Sequence, residues 1–98
     1  MSTYRPLEQQ YYKHQDGGLY FVLKIGKSTV DQSEHVVYVH VFPFEMEVWI
    51  RPLEEWTHKR FTILDHVETT KMLKQNREAT ILEISASKSL RRLAEGKV

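Results

Sequence analysis

The chain has 98 residues, 41% hydrophobic and 28% charged, which suits a single folded domain over 1–98 and argues against wholesale disorder. It has no cysteine, so disulfide frameworks, thiolate nucleophiles and cysteine-based zinc sites are excluded. The net charge of +1 hides an asymmetry: residues 1–70 hold 7 Lys/Arg against 10 Asp/Glu, and residues 71–98 hold 7 against 3.

Met1 to Gln10 is polar and contains Pro6, and reads as a loose lead-in rather than a signal peptide. No apolar run approaches the ~20 residues of a membrane span, so the expectation is a cytoplasmic protein with no membrane partner. Tyr11-Tyr12-Lys13-His14 is a candidate first strand. Asp16-Gly17-Gly18 is a turn signal that joins it to Leu19–Ile25 as a hairpin. Leu19, Phe21, Leu23 and Ile25 alternate with Tyr20, Val22 and Lys24, so each set is expected on its own face.

Gly26 to Glu34 is loop-like. His35–Phe42 is nearly all β-branched or aromatic and is the strongest strand signal; Pro43 ends it. Val48-Trp49-Ile50-Arg51 reads as another strand closed by Pro52, Leu53–Trp56 as a turn of helix, and Arg60–Leu64 as a short strand. Aromatic residues stop at Phe61. Beyond Val67 the apolar residues recur at helical spacing. Leu82, Ala86, Leu90 and Leu93 form one stripe, with Lys88, Arg91, Arg92 and Glu95 largely on other faces. Residues 66–95 read as one helix or as two, with Asn76 able to cap a helix starting at Arg77 and Gly96 able to end it. A strand over Thr80–Ile84 is the alternative.

Tyr12-Lys13-His14, Gly17, Leu19-Tyr20, Val22-Leu23, Val36-Val37-Tyr38 and Trp49-Ile50-Arg51-Pro52-Leu53 occur in order over about residues 11–58. This pattern resembles domain-of-unknown-function family 1653, whose members are short bacterial and phage proteins. The resemblance implies a small SH3-like antiparallel β-roll of about five strands (a β-barrel-like scaffold over 11–64), here with a C-terminal helical extension over 66–95. The expected class is mainly β, α+β overall. The chain departs from the family pattern at Lys27–Asp31, where the family often carries a histidine. It departs again near Phe42-Pro43-Phe44, and residues 66–98 extend beyond the resemblance. No activity is implied.

Chemistry-bearing motifs are few. The five histidines form no HExxH pair, and no metal or cofactor is expected. Gly26-Lys27-Ser28-Thr29 is similar to the tail of a phosphate-binding loop, but Phe21 stands where the first glycine belongs. No Gly-x-Ser-x-Gly elbow surrounds any serine.

Arg51 is the residue of most interest, because Trp49 and Ile50 favour a strand while Pro52 stops it, delivering a guanidinium to a sheet rim. It reads either as an anchor for phosphate or carboxylate, or as an internal ion pair with Glu54, Glu55 or Asp16. His14 ends a strand before a Gly-Gly turn, where it serves a site or hydrogen-bonds the turn backbone. Trp49 and Tyr38 are expected in the core; Tyr12, Tyr20 and Trp56 are expected to be partly exposed.

The expected function is that of a non-enzymatic binding module for nucleic acid or a nucleotide-like anion. Its candidate binding residues are Tyr12, His14, Tyr20, Arg51 and Trp56. The alternative is a protein–protein adaptor or homodimer working through the C-terminal helix. A hydrolase using His14 with a carboxylate lacks a recognisable nucleophile.

Overall fold

A computed structural model describes residues 5–96. Five antiparallel strands, β1 (Gln10–His14), β2 (Leu19–Lys27), β3 (Glu34–Phe42), β4 (Val48–Pro52) and β5 (Phe61–Ile63), form one sheet in the order β4-β3-β2-β1-β5. A 3-10 turn at Leu53–Glu55 follows β4, and α1 (His66–Leu73) and α2 (Arg77–Ala94) close the chain. The fold is therefore α+β and mostly sheet. It is not a closed barrel: β4 and β5 are the two edges and do not pair with each other.

The alternation of strand side chains decides which residues meet. Register pairs Tyr12 with Tyr20, Tyr20 with His40, Val22 with Tyr38, Tyr38 with Trp49, Val36 with Arg51 and His14 with Phe61. Each link in that network lies on the same face. That face carries the main core of Tyr12, Tyr20, Val22, Val36, Tyr38 and Phe61, closed over by Leu53 and Trp56. Trp56 lies flat on Phe61, with centroids 3.7 Å apart and planes 7° apart. Burying each such ring contributes on the order of 2–3 kcal/mol before entropy is counted. A smaller cluster of Leu19, Leu64 and Met72 fixes α1 through Met72, with Tyr11, Val41 and Phe42 packed against it.

One facing expectation is corrected in β2. The pairing with β3 shifts register between Val22 and Lys24, so Leu23 is an extra residue. The bulge turns Ile25 onto the face of Val22, where it packs against the main core rather than sharing a side with Leu19 and Phe21.

Exposure also differs from expectation. Tyr12 and Trp56 are 1% exposed and Tyr20 is 7%, so all three are core residues. Their hydrophobic bulk outweighs the polar neighbours that suggested a surface position. Trp49 is 45% exposed, because β4 is an edge with nothing packed beyond it. Tyr38 is buried as expected.

The lead-in is tied down where it is described, and its residues 1–4 lie outside the described residues. The Gln9 amide donates to the Val22 carbonyl, Glu8 accepts from the Ile25 amide, and Arg5 pairs with Glu34 at 2.7 Å.

Residues 66–95 form two helices, and Thr80–Ile84 is helical rather than a strand. Asp65 caps α1 by accepting from the Glu68 amide, and Asn76 caps α2 by accepting from the Ala79 amide, each at 2.8 Å. Gly96 takes φ +73° just past the end of α2. Among the described residues no helix is long and apolar enough to cross a membrane.

Candidate functional site

The site is built around the β1–β2 turn. The His14 amide donates to the Gly18 carbonyl and the Gly17 amide to the His14 carbonyl, both at 2.8 Å. Gly17 has φ +114°, which glycine alone adopts readily. Its missing side chain also leaves room for Ile84, since a Cβ there would lie 3.3 Å from Ile84 Cγ1. That approach, with an Arg77 hydrogen bond to the Pro43 carbonyl, holds α2 against the turn.

Asp16, at the tip of the turn, is buried, yet its carboxylate is fully engaged. Ser87 donates to Oδ1 at 3.1 Å, and Arg91 donates to Oδ1 at 3.3 Å and to Oδ2 at 3.0 Å. Burial pushes the Asp16 pKa up, but the hydrogen bonds from Arg91 and Ser87 outweigh it and hold the group below the usual carboxylate value. The partner of Asp16 is thus Arg91 on α2, not Arg51.

His14 is buried beside it. Its Nδ1 accepts a hydrogen bond from the Asp16 backbone amide at 3.1 Å, which leaves the proton of the neutral ring on Nε2. Burial is the main force lowering its pKa, to about 4. Asp16 opposes that shift, while Arg51, Lys88 and Arg91 reinforce it. The imidazole is therefore neutral at physiological pH. The expectation that His14 bonds turn backbone matches this geometry, and the ring lines a hollow as well.

Arg51 reaches the same hollow from β4. Its Nε donates to the Tyr38 hydroxyl at 3.4 Å and its Nη1 lies 3.5 Å from Glu55. The guanidinium carbon is 5.5 Å from the Phe61 ring centroid. Of the three carboxylates weighed as its partner, Glu55 is the one in contact.

The hollow holds about 230 Å³ and is lined by His14, Asp16, Tyr20, Arg51, Arg60 and Lys88, among others. Among the described residues neither Arg60 nor Lys88 has a carboxylate within ion-pair distance. A second hollow, of about 350 Å³, shares Tyr20 and Lys88 and is lined otherwise by His40, Phe44 and Trp49 and by the carboxylates Glu45 and Glu47. Tyr20 and His40 stack with centroids 4.6 Å apart and planes 9° apart, and Trp49 lies 5.6 Å from His40. Burial lowers the His40 pKa and raises that of Tyr20 to about 12, so both rings are neutral. A cationic hollow thus opens beside an aromatic one.

Of the five residues singled out from sequence, His14, Tyr20 and Arg51 line the cationic hollow. Tyr12 and Trp56 lie beneath it in the core. Sequence reasoning did not identify His40, Phe44 or Arg60 as site residues, and it read the basic segment Lys88–Arg92 as able to touch nucleic acid or an acidic protein, or to pack its leucines, without joining it to His14 and Arg51. The signal for the α2 pair was present: Lys88 and Arg91 sit off the leucine stripe, on the side that turns toward the sheet.

A larger hollow of about 590 Å³ lies by the β2–β3 loop, lined in part by Asp31, Glu34, His35 and Glu54. Its carboxylates are partly occupied, with Asp31 accepting from Ser33 and Glu34 pairing with Arg5. No group of three or more metal-ligating side chains occurs among the described residues.

No curated protein and no solved structure matches the chain. The family model described as "Protein of unknown function (DUF1653)" matches residues 10–72, from the start of β1 almost to the end of α1. The family's extent therefore includes α1, contrary to the expectation that everything from residue 66 lies outside it. Of the residues around Asp16, Ser87, Lys88 and Arg91 are supplied by α2, beyond the match. Since the match covers well over half of the sequence, with the β-rich core inside it, the protein belongs to the DUF1653 family.

Proposed function

We propose that the protein is a binding module for an anionic, nucleotide-like ligand, either a mononucleotide or part of a single strand. One observation carries this reading: the cationic hollow and the aromatic hollow share Tyr20 and Lys88 as common walls. A phosphate in the first would meet Arg60, Lys88 and Arg92, for which no carboxylate lies within ion-pair distance among the described residues, with Arg51 beside them. A planar base in the second would lie against Trp49 and Phe44. Stacking of this kind is worth roughly 1–3 kcal/mol per base, and one or two phosphate contacts add a modest, salt-sensitive increment.

Titration with adenosine monophosphate, inorganic phosphate and a short single-stranded oligonucleotide, read by Trp fluorescence and calorimetry, tests this. The nucleotide is expected to bind more tightly than phosphate alone, with affinity falling as salt rises and falling again in Lys88→Glu. Equal, salt-independent responses to all three, or none at low salt, would refute it.

A further inference from the structure

The aromatic hollow has an acidic side as well as aromatic walls. Glu45 and Glu47 line it together with His40, Phe44 and Trp49. Both carboxylates are exposed, and among the described residues neither has a cation within ion-pair distance.

Strand geometry fixes where Glu47 lies. The His40 amide donates to the Glu47 carbonyl at 3.0 Å, which carries the β3–β4 ladder one residue beyond Val48. Side chains two residues apart on a strand share a face, so Glu47, Trp49 and Arg51 form one row. It is the face of Tyr38 and His40, which lie across from Trp49 and Glu47. The row spans about 13 Å, with Trp49 midway. Of the two hollows, Glu47 and Trp49 line only the aromatic one and Arg51 only the cationic one. The charge of Glu47 is felt inside the hollow: burial lowers the His40 pKa, Lys88 adds to that, and Glu47 opposes it.

Carboxylate, ring and guanidinium thus follow one another along the β4 edge. A nucleotide with its phosphate at the Arg51 end and its base on Trp49 presents the base edge opposite the sugar to Glu47. A carboxylate accepts hydrogen bonds and donates none. Guanine alone among the common bases has two adjacent donors on that edge, its ring N–H and its exocyclic amino group, and they match the two oxygens of one carboxylate. Adenine and cytosine place a ring-nitrogen lone pair beside a single amino donor. Uracil flanks one N–H with two carbonyls. Each of these three sets a lone pair against the charge. Building on the nucleotide-binding reading above, we infer that the site selects guanine nucleotides, with the Glu47 carboxylate accepting both donors of a base stacked on Trp49.

Calorimetric titration of the full chain with the monophosphates of guanosine, adenosine, cytidine, uridine and inosine, all at the same low salt, tests this. Guanosine monophosphate is expected to bind about tenfold more tightly than the adenosine, cytidine and uridine compounds, as a bidentate contact to a base edge allows. Inosine monophosphate keeps the ring N–H but lacks the amino group, and is expected to fall between. Glu47→Gln, at an exposed side chain, is expected to keep the thermal midpoint and to remove the guanosine preference without lowering the adenosine affinity. Equal affinity for all of these compounds would leave the protein a nucleotide binder and overturn the inference alone. A guanosine preference that survives in Glu47→Gln would overturn it equally. No binding of any of them would overturn the proposed function itself, and this inference with it.

Discussion

Acidification should destabilise the protein through His14, by an amount the structure allows to be worked out. In the unfolded chain the imidazole keeps its ordinary pKa of 6.5, whereas in the fold burial and three nearby cations lower it to about 4. Between those values the unfolded chain binds a proton that the folded chain rejects. His14 therefore leaves stability intact above about pH 6.5 and removes it as the pH falls toward about 4. Going from about pH 7.5 to about pH 4.5, the loss is roughly 2.5 kcal/mol, a large share of the stability of a domain this size. Protonation also removes the Nδ1 lone pair that accepts the Asp16 amide. The perturbation to compare is His14→Asn, which keeps an acceptor near that amide but does not titrate. Urea midpoints across this pH range should show the wild type losing about 2.5 kcal/mol more than the variant. Asp16 does not confuse the comparison, because its pKa lies below 3.8 and it is present in both proteins. Parallel pH profiles for the two chains would refute the reasoning.

Three further outcomes are expected. Gly17→Ala places a Cβ at positive φ and 3.3 Å from Ile84, and should cost about 1–3 kcal/mol in thermal or chemical denaturation. Asp16→Ala frees Ser87 and Arg91 from the turn; it should cost about 2 kcal/mol and speed amide hydrogen exchange in α2 more than in β2 and β3. Ile50→Lys, on the β4 edge at a side chain 65% exposed, should leave the denaturation midpoint within about 0.5 kcal/mol of wild type and slow aggregation on heating.

If the hollow binds a phosphate, the added negative charge beside Arg51, Lys88 and Arg91 should draw the His14 pKa back up, with Asp16 acting in the same sense. Nucleotide affinity should then rise as the pH falls toward 5, and this rise should vanish in His14→Asn.

Local physical chemistry alone determined much of this protein. Strand propensity marked β2, β3 and β4, Asp16-Gly17-Gly18 marked the hairpin turn, and Asn76 marked the start of α2. Each of these depends on a residue and its immediate neighbours, so each is visible along the chain. Tertiary structure decided what depends on distant residues. The bulge at Leu23 changed which side chains share a face with Val22. The order β4-β3-β2-β1-β5 put Trp49 on an edge and Tyr12 in the interior. The docking of α2 brought Lys88 and Arg91 to a turn more than seventy residues earlier in the chain. Burial is a property of the assembled sheet and helix, and an aromatic flanked by polar neighbours, as Tyr12 and Trp56 are, carries no local sign of whether its ring will face water.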